Sequence, residues 1–293
     1  MTTPNVLQTE QWEIDGYVMG PDTSVNVGAF SIGGPDIATN DVLNPRADGE
    51  RHGREYRSGR TIEFDLNALS DGYGVLDVLS ALGSKWNAET KRLTPGAYSL
   101  LRYKLYNRTR RVWGTPRQME PVTNLDYLGN VPITANFRTV DPYFYDDVEH
   151  SNNTSIAPVP AGGLIPPLSE PVSTLAISYA PGQVVVGGTE KTWLYFIIYG
   201  PITNPKIECL NEWALMLNMT IAAGEYVVID PRPWSRGIRL NNVTPVGGLL
   251  SQDSQRIADL RLSPGSHEII LSGIDLSATA SMLTAWRNAY SSY

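Results

Sequence analysis

The strongest constraint on the fold is an apolar alternation with a period of two, broken at short intervals by glycine and proline. In TIEFDLNAL, Ile62, Phe64 and Leu66 alternate with Thr61, Glu63 and Asp65. In LRYKLYNRTRRVWG, Leu101, Tyr103 and Leu105 alternate with Arg102 and Lys104 before a polar turn at NRTRR. Successive strand side chains point to opposite faces, so both segments read as half-buried antiparallel strands, the second forming a hairpin. The 26 glycines and 21 prolines, with 15 Tyr and 7 Trp against 5 Phe, suit many short strands joined by defined turns.

One segment of the first half breaks the pattern. DGYGVLDVLSALGSKW spaces Val75, Leu76, Leu79 and Leu82 for a helix, with Asp71 as its N-cap and Gly83 as its stop. This helix should cover an open face of the first sheet.

In the second half, TWLYFIIYG is apolar on both faces and reads as a central sandwich strand. GPITNP follows it. Pro201 and Pro205 cannot donate ladder hydrogen bonds, so the strand should end near Gly200, with Asn204 holding the bend. Gly200, Pro201, Asn204 and Pro205 are thus expected to form a rigid corner, the next strand resuming over 206–210. WALMLNMTI and GEYVVID read as neighbours joined at AAGE. RGIRLNN and GSHEIILSG continue the series, and TASMLTAWRNAYSSY is taken as a final strand.

A chain of 293 residues has room for about two domains. Between them, residues 151–188 are rich in Pro, Gly, Ser and Thr, with Glu170 as the only charged side chain, and read as a semi-rigid linker that runs into the first strands of the next domain. The expected division is 1–150, linker 151–188, and 189–293. No secretory signal opens the sequence, and the apolar run at 194–199 is far short of the roughly 20 residues that a bilayer span needs. The expectation is a chain made in the host cytoplasm that stays soluble and does not enter a membrane.

The formal net charge of −7 and pI of about 5.0 argue against general nucleic-acid affinity. Cys209 is the only cysteine, which excludes an intrachain disulfide and a CxxC metal knuckle, and its apolar neighbours suggest a buried small hydrophobe. The three histidines, His52, His150 and His267, sit in separate contexts, with no HExxH, GxSxG or Walker-type loop. DDVEH, from Asp146 to His150, offers hard oxygens and an imidazole, but adjacent residues of an extended chain point to opposite sides. Glu63 and Asp65 share a strand face as a glycosidase pair would, yet that face reads as solvated. No enzyme, no cofactor and no metal is expected.

The more serious candidate is electrostatic. Eight basic residues and no acidic one lie between Thr90 and Met119. Arg102, Lys104, Arg108, Arg110 and Arg111 are the expected contacts to an acidic protein neighbour. Their interleaving with Tyr106 and Trp113 superficially suits a nucleic-acid platform, but Tyr103 falls on the core face. RADGERHGREYRSGR reads as a Gly-rich mobile loop suited to ordering against a partner. Trp234, in the turn-like DPRPWSRG, is a candidate glycan contact.

These segments occur in a telling order. GRTIEFDL after an Arg/Gly-rich loop, a helix, a basic hairpin and FRTVDPYFYD together resemble the belt domain of siphophage distal tail proteins. The GG-T-TW lead-in, GPITNPKI, GEYVVID and LSPGSHEIILSG are similar to the C-terminal module of that family, most closely the minor tail proteins of phages infecting actinobacteria. The resemblance implies a mainly β fold. A belt domain (a β-sandwich or split barrel with one helix) would precede a galectin-like β-sandwich. It further implies a homo-hexameric ring at the virion tail tip, joining the tail tube protein to the tail-tip hub or tail-associated protein, near the tape measure protein. A carbohydrate- or receptor-binding module of the tail tip is the alternative. The first fifty residues and the long Pro-rich linker depart from the family pattern.

Overall fold

The computed structural model describes residues 5–122, 129–156 and 182–293. Contacts divide the chain into two units. The first comprises 1–147 with 290–293, and the second comprises 148–289.

The first unit is built on one antiparallel sheet. Its strands are β1 (Trp12–Ile14), β2 (Tyr17–Met19), β3 (Val25–Ile32), β8 (Thr61–Leu69), β9 (Ser99–Leu105), β10 (Arg108–Pro121) and β11 (Asn130–Thr139). They lie in the order β2-β1-β9-β10-β11-β8-β3, with β12 (Phe144–Asp146) added against β10. The alternation written into β8 decides its faces, for Ile62, Phe64, Leu66 and Ala68 are buried while Glu63 and Asp65 are exposed.

Helix α1 (Val75–Asn87) lies against β8 and β10 and buries Val75, Leu82 and Trp86. The Trp86 ring meets Phe64 edge to face with centroids 5.9 Å apart, and its Nε1–H donates to the Gln118 carbonyl at 3.0 Å. Trp12, stacked on Tyr103 at 4.6 Å, completes the aromatic core. The helix ends differ from expectation. It begins after Gly74 with no side-chain cap, so Asp71 does not serve as N-cap, and it runs through Gly83 to a left-handed residue at Ala88 (φ 42°). Packing of Trp86 beyond Gly83 outweighs the cost of about 1 kcal/mol for a helical glycine. A four-residue α2 (Glu89–Arg92) follows.

Between β3 and β8 the chain forms an arm. β4 (Ile37–Ala38) pairs with β7 (Tyr56–Arg57), and β5 (Val42–Leu43) pairs with β6 (Glu50–Arg51). The segment read as a loop is therefore part of a β-hairpin.

The second unit is a sandwich of two antiparallel sheets. One follows the order β13-β24-β15-β19-β20-β21, using His150–Ser155, Ser281–Trp286, Thr192–Tyr199, Tyr226–Asp230, Gly237–Leu240 and Thr244–Pro245, with β22 (Arg261–Leu262) beside β15. The other follows β14-β23-β16-β17, using Gly182–Val186, Gly265–Ile274, Ile202–Cys209 and Trp213–Met216, with β18 (Thr220–Ile221) beside β16. Leu194, Phe196 and Ile198 from the first sheet share the core with Ile207, Cys209, Ile269 and Leu271 from the second. The last strand of the chain, β25 (Ala289–Tyr290), follows this sandwich.

Three expectations change here. The start of the expected linker 151–188 is a sandwich strand, because His150–Ser155 pairs with β24, while Gly182–Val186, paired with β23, is a strand of the second unit of the kind the linker is expected to run into. The proline cluster from Pro158 to Pro171 lies outside the described residues. WALM and GEYVVID are not neighbours: β17 pairs with β16 and β19 with β15, so the chain changes sheets at AAGE. The GPITNP segment is also tighter than expected. The chain leaves β15 at Tyr199, passes a cis Gly200–Pro201 peptide and re-enters a strand at Ile202. Asn204 and Pro205 lie inside β16 as a bulge, where the pairing with β23 slips between Thr203 and Lys206. Asn204 adopts φ 50°, its N–H donates to the Met219 carbonyl at 2.8 Å, and the Pro205 carbonyl accepts from Leu217 at 3.0 Å. The missing proline N–H falls where the bulge interrupts the ladder, so the strand tolerates it.

Candidate functional site

The basic hairpin is built by strand register. Arg102 on β9 lies opposite Glu13 on β1 and opposite Arg111 on β10. Two guanidiniums facing each other across a ladder repel unless an anion separates them. Asp147, just beyond β12, does so. Its Oδ1 accepts from Arg102 Nε at 2.9 Å and from Arg111 Nη2 at 2.6 Å, and its Oδ2 accepts from Arg102 Nη2 at 2.7 Å. Arg102 also donates to Glu13 Oε2 at 2.8 Å and to the Asn5 carbonyl at 3.1 Å. Its side chain is 4% exposed. Burial opposes the charge on Asp147, but the Arg102 and Arg111 guanidiniums prevail and hold its carboxyl below the ordinary range.

The adjacent register position repeats the theme. Arg110 pairs with Asp146, and its guanidinium lies 3.7 Å from the Tyr290 ring centroid. The Tyr290 hydroxyl donates to Asp146 Oδ2 at 3.2 Å. Lys104 is half-buried, its ammonium donating to the Leu7 carbonyl at 3.1 Å. Arg108 is exposed at the hairpin tip.

This corrects the expected partner surface. Arg102, Arg110 and Arg111 meet an acidic neighbour within their own unit, and Lys104 bonds backbone there, because residues 5–7 and Asp146–Asp147 cover the polar face of the hairpin. Glu13 and Asp147 lie far from Arg102 in sequence, and only pairing register brings them together. The same ion pairs draw Asp146 and Asp147 away from a metal site on DDVEH. Arg287 faces Glu149 at 3.4 Å, and His150 stacks on Trp286.

The arm presents the opposite character. Ile37 (52%), Val42 (62%), Leu43 (76%) and Tyr56 (55%) are exposed on it. Its ladders are two residues long and hold no core of their own. Asp36, at its root, pairs with Arg138 at 2.5 Å. An isolated two-stranded hairpin is marginal in water, and an apolar one is open to pairing with another surface. The sequence signal for it was the Arg/Gly-rich stretch, whose charges drew attention from the apolar residues before it.

Trp234 is half-buried in a turn rather than openly displayed. That turn is fixed by Asp230, which accepts from Arg232 Nη2 at 2.6 Å and from the Ser235 hydroxyl at 2.6 Å. Cys209 is buried, and its thiol is pushed up to about 12 by burial and by the Glu212 charge, so it is no nucleophile.

No family model matches the sequence, and neither does any curated protein. Solved structures do. The SPP1 Dit protein, described as a paradigm of the hub adsorption apparatus of phages infecting Gram-positive bacteria, superposes with a TM-score of 0.59 at 14% identity. The match covers 95% of this chain and 98% of that one. A chain of the phage P2 baseplate in its activated conformation with Ca gives a TM-score of 0.55 at 12% identity, covering 94% and 97%. The P2 baseplate with Sr gives 0.53 at 12%, again over 94% and 97%. The resemblance read from the order of sequence segments thus has its structural counterpart along nearly the whole chain: the fold is that of a phage distal tail hub protein.

Proposed function

We propose that this chain is a structural component of a phage tail tip that assembles with copies of itself into a ring, a hexamer by the resemblance, between the tail tube protein and the tail-tip hub. The observation that carries the reading is the arm, which displays Ile37, Val42, Leu43 and Tyr56 with no core beneath them. A neighbouring subunit that covers these side chains and extends the short ladders would remove both liabilities at once. The full-length fold match to hub and baseplate chains supports the same reading. The tape measure protein is a further neighbour in this arrangement, and the role requires no catalysis.

The test is mass measurement and negative-stain imaging of the purified full chain over a range of concentrations, beside a double variant Leu43→Asp/Tyr56→Asp. The expected result is a closed ring for the wild type. The double variant should be a folded monomer by circular dichroism. A wild-type chain that stays monomeric throughout, and that in particles lies away from the tail tip, ends the reading.

A further inference from the structure

The second unit contains a cluster drawn from two separate stretches of sequence, CLNE at 209–212 and His267. Cys209 ends β16, Glu212 stands in the turn that follows, and His267 begins the facing part of β23. Cys209 pairs with Ile269, and His267 lies two residues before Ile269 on the same strand face, so pleating puts thiol and imidazole on one side. The turn Cys209–Glu212, closed by the Glu212 N–H donating to the Cys209 carbonyl at 3.1 Å, returns the carboxylate to them. The three ligating atoms lie within 4.8 Å of one another.

The imidazole is already oriented as a ligand. His267 Nε2 is 2.8 Å from the Ser263 carbonyl, which can only accept, so Nε2 carries the proton. Nδ1 then faces Glu212 Oε1 at 2.6 Å. That gap is too short to hold an ion: zinc bound to both atoms at about 2.0–2.2 Å needs them about 3 Å apart, an opening that Glu212, one-third exposed in its turn, makes by swinging back. The carbonyl bond to the far nitrogen is the outer contact that orients metal-bound histidines.

We propose that Cys209, Glu212 and His267 bind a zinc-class divalent cation, with solvent in the fourth position. Thiolate, imidazole and carboxylate together favour zinc over calcium or magnesium, which prefer oxygen ligands alone. Binding displaces the Cys209 thiol proton to solvent. The ion would tie β16, its turn and β23 at one end of the sandwich, a structural clip independent of ring assembly. A second grouping among the described residues, Asp41, Glu50 and His52 on the arm, lies at the surface and has no thiol.

The test uses the full chain, stripped with a chelator under a phosphine reductant and titrated with Co²⁺, then with Zn²⁺ in competition. The expected result is one equivalent of Co²⁺ with a thiolate charge-transfer absorption and tetrahedral visible bands, all displaced by Zn²⁺. Cys209→Ala should abolish the charge-transfer band. Glu212→Gln and His267→Gln should each weaken Zn²⁺ binding about tenfold or more, while His52→Ala changes nothing. Glu212 is one-third exposed in a turn, so its variant tests the site even if Cys209→Ala fails to fold. No thiolate band in the wild type, unchanged affinity in Glu212→Gln, or loss of binding in His52→Ala overturns the proposal.

Discussion

Arg102 shows how one side chain can reverse its apparent role. Its place on the polar face of a strand suggests a solvated or partner-seeking cation, yet it is 4% exposed and bound to two carboxylates and a carbonyl. Removing one member of a buried ion network leaves an uncompensated charge, so Arg102→Met is expected to cost about 3–5 kcal/mol. Urea denaturation measures it, and adding Asp147→Asn should recover part of the loss. An Arg102→Met variant as stable as the wild type would return Arg102 to the surface. The pH dependence follows from Asp147, whose folded pKa lies below its unfolded value. Such a group contributes stability above the unfolded carboxylate pKa of about 4, and loses it as pH falls through the lower folded value. Thermal melts from neutral to acid pH should show this decline, and Asp147→Asn should flatten it while lowering stability at neutral pH.

At the scale of elements, glycine and proline obey local rules until packing overrules them. Gly83 sits inside α1 without a positive φ, and a Cβ there would meet only Met119 Cε at an ordinary 3.9 Å. Gly83→Ala should therefore raise stability by about 0.5–1 kcal/mol, read as a higher denaturation midpoint. Asn204 is the converse case. At φ 50° in the β16 bulge it tolerates glycine but not a branched residue, so Asn204→Val should cost about 1–3 kcal/mol and Asn204→Gly little. Equal stability of the two variants would mean that the bulge shifts register to accommodate valine. Proline spacing in GPITNP announced an interruption, but whether each proline sits at a corner or inside a bulged strand depends on pairing with β23.

At the scale of the whole molecule, the proposed ring would change the environment of the arm most. Arg46, Arg51, Arg54 and Arg57 are exposed on it. Brief trypsin treatment of the unassembled chain should cut first within this segment, whereas the assembled ring should resist, with the sites read by mass spectrometry. Equal cleavage in both forms would place the arm outside the interface. The sequence by itself determined the class of fold, since period-two alternation over short runs leaves few alternatives to antiparallel sheets. It also determined the existence of the helix, the central strands of the second half such as TWLYFIIYG and GEYVVID and, through the order of segments, the resemblance to distal tail proteins. Those features are carried by residues close together in the chain. Tertiary structure alone decided that Arg102, Arg110 and Arg111 of the basic hairpin are neutralised from within, that AAGE crosses between sheets, and that His267 converges on Cys209 and Glu212. Each depends on which strands pair and in which register, a long-range choice made by the competition among buried faces that no local pattern records.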